Sequence, residues 1–545
     1  MKVNRRTTVR LVSLTVLALA CASALRATPA VKTVYNGASW APPDLPNSGI
    51  AQGAIFTVTG TGLGPSTLQQ AQSYPLPTTQ GLAGTTIQVT VGGTTETCIM
   101  IYTVATQVAA ILPSATPLGT GTLTLSYQGA SSSVAIQVLA ANFGTFTLNE
   151  GGTGPGVLTD VFYNPITMIN PAQSGETLVL WGSGLGAATG NETEPPVQVD
   201  LGTGVQVFVE GQSATVLYGG RGSSPGLDQI NFVVPAGISG GCKTSIVVLV
   251  KGVTGNVTST SIAPAGQATC GDTYSALTTA NLQTAIAKGS LNIAAVELSR
   301  VAGGDDTLLA YYGNFPLNSL IRSYGGSYGA SVGSCLAYEI GGSSLVITDP
   351  IQPTYMDGGQ NLVIGGPAGT KTVAVNSTGY FGAILATPPS EYIEPGAYTA
   401  QNGSGGANVG AFNWALTMPA YVVPTNIPTS INRSQDLTLN WTGGSSYSVV
   451  SILAFNGVLV TESPSLSSYV YIVCTANASS GTFTIPSAIL NLLPSSGYGT
   501  VTQPGVNLSI AGIPEGRFTV SGSPGIDVGI FSVFASNGSV ATIQR

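Results

Sequence analysis

The chain has 545 residues, 43% of them hydrophobic and only 7% charged, with 72 Gly, 33 Pro and a formal net charge of −7. So few charges exclude long helices, whose solvent faces need Lys, Glu and Arg, and the apolar content excludes disorder of the highly charged kind. The length calls for several domains, and a surface left to Thr, Ser, Asn, Gln and Gly predicts that they are built from β-strands.

Residues 1–27 read as a secretory signal peptide. Lys2, Arg5, Arg6 and Arg10 precede an apolar run from Leu11 to Ala20, and Ala22-Ser23-Ala24 offers small residues for cleavage after Ala24 or Ala27. The run is shorter than the roughly 20 residues of a spanning helix, and no later stretch is long and apolar enough to span. Export to the cell surface or extracellular space is therefore expected, with the periplasm also open. Cleavage leaves 11 basic against 23 acidic residues, a net charge of −12. Such a surface argues against nucleic acid and anionic membranes, which are bound through clustered Lys and Arg.

The mature chain opens with a repeat offset by about 122 residues. Ile50-Ala51-Gln52-Gly53 with Phe56-Thr57-Val58-Thr59-Gly60-Thr61-Gly62-Leu63-Gly64 returns as Pro171-Ala172-Gln173-Ser174-Gly175 with Leu178-Val179-Leu180-Trp181-Gly182-Ser183-Gly184-Leu185-Gly186. Tyr102, Gln107 and Pro113 correspond to Tyr218, Gln229 and Pro235, and both copies end in a pair of alternating strands. Seven or so short strands per hundred residues, punctuated by turns, form the pattern of a sandwich.

On these residues the chain resembles the tandem IPT/TIG (immunoglobulin-like) modules of exported bacterial proteins, which open with a segment like Asn36-Gly37-Ala38-Ser39. The second copy is the nearer match, through Gly220-Arg221, Gly226-Leu227-Asp228-Gln229-Ile230-Asn231-Phe232, Val234-Pro235 and Gly241-Cys242. Ser223-Ser224-Pro225 stand where the pattern often has paired cysteines. The resemblance covers residues 33–270 and implies an architecture without naming an activity.

Past Asp272 the register changes. Thr279 to Lys288 is the best helical candidate, opened by a threonine able to cap it and ended by Gly289. The remainder reads as β. Pro395-Gly396-Ala397-Tyr398-Thr399 with Val409 to Phe412 is echoed by Pro514 to Thr519 with Val528 to Phe531, and a Pro-rich joint runs from Pro419 to Pro428. The expected fold class is all-β, tandem immunoglobulin-like β-sandwiches with very little helix. Four modules in a row are expected, at 33–140, 144–270, 273–418 and 429–545.

Five cysteines survive cleavage: Cys98, Cys242, Cys270, Cys335 and Cys474. Cys242 and Cys270 flank the strand pair Thr244–Lys251 and Asn256–Ala263, so a bridge between them is expected, while the odd total leaves the pairing of the other three open. No cysteines stand at zinc-ligand spacing, and no metal or cofactor is expected.

Histidine is absent, which removes Ser-His-Asp and Cys-His catalysis. The Gly-x-Gly-x-Gly stretches at 60–64 and 182–186 open no helix and read as hairpin turns rather than dinucleotide sites. Asp305-Asp306 reads as an ordinary turn, Glu192 and Glu194 as a solvated loop, and Trp181 and Trp441 as core residues within apolar strands. Arg221 and Asp228, with Gln229, read as a salt bridge or cap fixing a loop, with contact to a ligand as the alternative. Tyr324 and Tyr328 lie in a Tyr-Gly-Ser stretch, a plain long loop or an adaptable binding loop. The expected function is that of a non-enzymatic surface or secreted protein with adhesive, ligand-binding and spacer modules. A carbohydrate-binding or carboxylate-dependent role for 273–418 and an envelope-structural role are the alternatives. An extracellular glycan or a surface protein is the expected kind of partner.

Overall fold

The computed structural model describes residues 28–196, 199–202, 204–272, 277–300, 303–323, 329–341, 352–458, 467–495, 506–514 and 524–544. The expected signal peptide, Tyr324 and Tyr328 lie outside them. The chain is all-β, a series of immunoglobulin-like sandwiches with little helix. Among the described residues, no helix is long and apolar enough to cross a membrane.

The first sandwich contains β1 (Ala30–Asn36), β2 (Ile50–Ala51), β3 (Ile55–Thr61), β4 (Gln69–Gln70), β5 (Thr85–Val91), β6 (Thr94–Thr97), β7 (Ile99–Val104), β8 (Gln107–Ile111), β9 (Gly119–Tyr127) and β10 (Ala130–Leu139). The sheets run β1-β3-β8-β7-β4 and β2-β10-β9-β5-β6. Period-two alternation supplies the core between them: Phe56, Val58, Ile87, Val89, Val108, Leu123, Leu125 and Ile136 are buried, while on β5 and β10 the intervening Thr, Ser and Gln face out. Cys98 is buried there as a free thiol.

The second copy contains β11 (Gly144–Thr145), β12 (Gly154–Pro155), β13 (Leu158–Asp160), β14 (Thr177–Ser183), β15 (Val205–Val209), β16 (Gln212–Arg221), β17 (Asp228–Val233), β18 (Gly241–Val250), β19 (Val253–Thr254) and β20 (Thr258–Ile262). Its strands connect as β11-β14-β17-β16-β15-β18-β20-β12, with β13 on β14 and β19 on β18. β16 belongs to both layers. Gln212 to Ala214 pair with β15 and Thr215 to Arg221 with β17, the latter pairing broken by a register shift at Val216/Tyr218. Such a bulge bends a strand, which lets one sheet close over its own core of Leu178, Leu180, Ile230, Phe232 and Val248.

The C-terminal half begins with α1 (Thr279–Lys288), whose N-cap is Thr278 rather than Thr279 and whose last turn ends on Gly289 at φ 72°. Then come β21 (Ser290–Arg300), β22 (Asp306–Pro316), α2 (Leu317–Arg322), β23 (Cys335–Gly341), β24 (Thr354–Tyr355), β25 (Asn361–Gly366), β26 (Gly369–Ala374), β27 (Tyr380–Ala386), β28 (Gly396–Gln401) and β29 (Asn413–Met418). β30 (Val423–Pro424), β31 (Ser430–Asn432), β32 (Leu437–Thr442), β33 (Tyr447–Val458), β34 (Ser468–Asn477), β35 (Thr482–Ile485), α3 (Ser487–Leu490), β36 (Val506–Pro514) and β37 (Val528–Gln544) complete the chain.

The boundary expected between 418 and 429 does not separate two self-contained domains. One sheet runs β23-β34-β33-β36-β37-β21-β22-β24, mixing strands from both sides of it. β37 pairs in parallel with β21 from Val528 to Ala535, then antiparallel with β36 from Ser536 to Ala541. Its first part closes the core of Leu298, Leu308, Tyr312, Phe381, Tyr398 and Trp414 beneath the sheet β26-β25-β28-β29. Its second part closes that of Leu439, Trp441, Ile452, Ile472 and Leu508 beneath β30-β32-β35. Of the sequence echo at 395–412 and 514–531, residues 515–523 lie outside the described residues; the first stretch enters the β28–β29 hairpin, and Val528 to Phe531 open the shared strand. β23 joins β34 in register, and Cys335 bonds Cys474 across that pair. Cys242 and Cys270 form the other disulfide, packed against α1 and β21.

The sandwiches also bury contacts against one another. Asn142 Nδ2 donates to the Asn47 carbonyl at 2.7 Å, Thr254 Oγ1 to that of Ala488 at 2.8 Å, and Ser468 Oγ to that of Pro43 at 2.6 Å. β18 and β20 are covered on both faces, so their Thr244, Ser245, Thr258, Ser259 and Thr260 are interior residues.

Asn47 also donates to Glu339 of β23 at 3.0 Å, and burial pushes the Glu339 carboxyl up to about 7 against the pull of that amide. Its folded-state value lies above the unfolded one, so between about pH 4.5 and 7 only the folded chain keeps the proton, and stability falls as pH rises across that window. Urea midpoints from pH 4.5 to 7.5 should show this decline, and Glu339→Gln should flatten it. The shared strand gives a second expectation. A fragment of residues 273–428 should stay unfolded by circular dichroism and limited proteolysis, whereas 273–545 should fold, because β21 needs β37 beside it.

Candidate functional site

Arg221 at the end of β16 and Asp228 at the start of β17 form an ion pair that is 3% and 0% exposed. The Asp228 carboxylate also accepts the Gly184 and Leu185 N–H groups at 2.7 and 2.8 Å, and Arg221 Nη2 donates to the Gly186 carbonyl at 2.7 Å. The second Gly-x-Gly-x-Gly stretch is therefore a loop whose amides wrap a buried carboxylate, not a hairpin turn. Gly184, at φ 117°, adopts a backbone that favours glycine. Burial pushes the Asp228 carboxyl above its ordinary value, opposed by the Arg221 charge and the Leu185 and Gly184 amides. In the first copy the equivalent loop is held without ions: Gly60 and Leu63 donate to the main-chain carbonyls of Thr106 and Ala105.

This lock stands where the first two sandwiches meet. Ile55 N donates to Ser183 Oγ at 2.8 Å, and Ser183 Oγ donates to the Gly226 carbonyl at 2.7 Å. Glu192, expected to be solvated, accepts both the N–H and the hydroxyl of Ser114 across the same junction. A cavity of about 240 Å³ lies beside it, lined by Glu192, Glu194, Arg221 and Gly226 among others. Asp306, expected in a plain turn, is likewise interior, 1% exposed, accepting the Ile393 N–H at 2.8 Å with Arg300 3.5 Å away. Among the described residues no cluster of Cys, Asp and Glu could hold a metal ion.

The exposed chemistry lies on the outer face of the second sandwich. β14 runs Leu178-Val179-Leu180-Trp181, and its core side is Leu178 and Leu180, so Trp181 points outward. It is half-buried rather than a core residue, with Nε1 3.3 Å from Thr159 Oγ1. Gln229 is its neighbour across β17, buried and 3.4 Å from Asn231. Beside Trp181 a hairpin projects from β13, and its tip reads Val161-Phe162-Tyr163, exposed to 50%, 80% and 65%. Tyr163 and Trp181 approach to 6.1 Å between ring centres. Trp441, by contrast, is a core residue, its indole donating to the Ala478 carbonyl at 2.8 Å.

Asp160 fixes the tip. Its carboxylate accepts from Phe162 N at 2.8 Å, Asn164 N at 2.9 Å and Asn164 Nδ2 at 2.7 Å. These bonds, the Asn164 amide first, hold the carboxyl below its usual range. Asp160 and Asn164 thus staple an apolar tip that would otherwise be free to fold back. A run of three exposed apolar residues is what a soluble surface ordinarily avoids unless a partner covers it.

No known family's pattern matches this chain, and no curated protein is similar to it. Among solved structures, the FN1–FN3 domains of chicken CNTN1 align at 8% identity over 72% of this chain and 99% of theirs, with a TM-score of 0.14. A tetra-tandem repeat from the extending region of a large adhesion protein aligns at 12% identity over 94% and 99%, with a TM-score of 0.12. Invasin, a bacterial integrin-binding protein, aligns at 12% identity over 93% of this chain and 79% of its own, also at 0.12. Likeness this slight leaves the fold to be read from the chain's own sheets and cores.

The buried lock yields a direct expectation. Asp228→Ala strands the Arg221 charge and two amides, and should cost about 3–5 kcal/mol, measured by urea unfolding followed by circular dichroism.

Proposed function

We propose that this is a non-enzymatic, exported binding protein whose packed sandwiches present the Val161-Phe162-Tyr163 tip and Trp181 to a partner. The carrying observation is the tip itself: three consecutive exposed apolar residues, held in one conformation by Asp160 beside a half-buried tryptophan. Full burial of Phe162 in a partner's pocket would contribute about 2–3 kcal/mol by area. Rigid aromatic anchors of this kind dominate interface energetics. Arg221, Asp228 and Gln229 serve the site as its frame, fixing β16 and β17 behind it. The extensive burial between sandwiches favours a rigid presenting body over a string of independent spacers.

A second reading, carbohydrate contact, has support on the open face of the β21–β22–β27 layer. Tyr355 of β24 and Tyr380 of β27 stand 6.0 Å apart there, with Leu309 of β22 and Ile384 of β27 exposed.

Panels of extracellular proteins and polysaccharides, probed with purified protein, test both readings. Phe162→Ala with Tyr163→Ala should weaken the hairpin's partner by at least about 30-fold, or 2 kcal/mol. The unfolding midpoint should stay unchanged, because both side chains face solvent. A hit kept by that variant and lost by Tyr380→Ala belongs to the tyrosine face. Undiminished binding by both variants, or hydrolysis abolished by one carboxylate substitution, would overturn the proposal.

A further inference from the structure

Two strand edges of the first sandwich border a common groove, and they differ in how they are defended. β1 carries the exposed Lys32 and a register shift between Val31 and Thr33, both of which discourage another strand from adding to an edge. β10 has neither. From Ala130 to Gln137 it reads Ala-Ser-Ser-Ser-Val-Ala-Ile-Gln, without charge, proline or any break in its register with β9.

On the side away from β9, β10 is paired only at its end, where β2 meets Val138 and Leu139. The Leu139 carbonyl accepts the Gln52 N–H at 3.0 Å on that side. Because strand residues two apart direct their main-chain groups the same way, Gln137, Ala135 and Ser133 turn their N–H and C=O groups toward the same edge. Among the described residues no main-chain partner meets Ser133 or Ala135 there. The adjoining groove has a volume of about 350 Å³, with Val34, Ile50, Val134 and Ile136 in its walls and Lys32 and Asp44 as its charged lining residues.

We propose that the β10 edge takes an extended segment of a partner polypeptide as an added strand, its main chain pairing with Ser133 and Ala135 and alternate apolar side chains entering the groove. Strand addition of this kind draws its affinity from the main chain and its specificity from pockets for every second residue. One Lys against one Asp leaves the groove with no net charge, so the inserted segment is uncharged at its centre. Val31 N donates to Ser132 Oγ at 3.1 Å and draws β1 over one end of the groove. The folded edge of a second copy would bring its own β1 against this one, so the occupant is a segment free of a sheet.

The test uses the signal-cleaved protein and an acetylated, amidated ten-residue peptide of alternating Thr and Val with one Lys and one Glu at its ends. Peptide at saturation should slow amide hydrogen exchange at Ser133 and Ala135. Ala135→Pro, which removes an N–H that serves no existing ladder, should weaken peptide binding at least tenfold in fluorescence anisotropy while leaving the thermal midpoint unchanged. Exchange at those two amides unaffected by peptide would overturn the proposal, even if the proline variant failed to fold. Equal binding by folded Ala135→Pro would also overturn it, as would protection of the same amides by concentration-dependent dimerisation without peptide.

Discussion

One strand sets the terms for the C-terminal half of this protein. β37 places Val528 to Ala535 beside β21 and Ser536 to Ala541 beside β36, so a single run of main chain satisfies the edges of two cores. Without it, β21 would expose eight residues of unpaired backbone, and Phe531 and Val533 would be missing from the core under β22 and β27. β21 and β37 are more than two hundred residues apart, so neither core can close until residues 528–541 are available. Such non-local pairing is slow, because loop closure must precede the contacts that reward it. The Cys335–Cys474 bridge, spanning 139 residues, ties β23 to the same sheet and narrows the unfolded ensemble.

A chain with so few ionic groups has surface enough to keep all of them in water, yet several lie inside. Arg221 with Asp228 and Arg300 with Asp306 each fix a loop against a strand, and Lys243 donates from the interior to the Ser323 carbonyl. Charges so placed add little net stability over apolar substitutes, but they penalise every arrangement in which a partner is absent. Elsewhere the sandwiches meet through hydroxyls. Serine and threonine on β18 and β20 allow a sheet to be covered on both faces at a lower desolvation cost than lysine or glutamate would impose.

The repeat of the first half was legible because its strands alternate cleanly and its glycine loops recur at a fixed offset. The helix at 279–288 was legible for a similar reason, since its ends are chemically marked. The interleaving of the second half was not, because alternation tells which side chains face a core and says nothing about which strand lies alongside. The pairing of Cys335 with Cys474 stayed open for the same reason. Trp181 was misplaced because Leu178-Val179-Leu180-Trp181 is apolar throughout and gives no phase; only the pairing of Leu178 and Leu180 with Phe232 and Ile230 shows which side is inside. Asp306 and Glu192 looked like loop residues because their partners, Ile393 and Ser114, are distant in sequence. The hairpin tip did leave a signal: three apolar residues set between Asp160 and Asn164, two residues that favour turns.

That signal bears on how the tip would bind. An aromatic on a mobile loop loses conformational freedom on docking, and this loss subtracts directly from affinity. At 161–163 most of the ordering is already done by folding. Asp160 holds the amides of Phe162 and Asn164, the Tyr163 N–H closes onto the Asp160 carbonyl at 3.1 Å, and Trp181 limits the Tyr163 ring. The hairpin stands on β13 and β14, whose position depends on β17 and on the Asp228 lock behind it. The buried charges that add little net stability are therefore well placed to matter for recognition, because they fix the strands from which Asp160 holds an apolar tip in solvent.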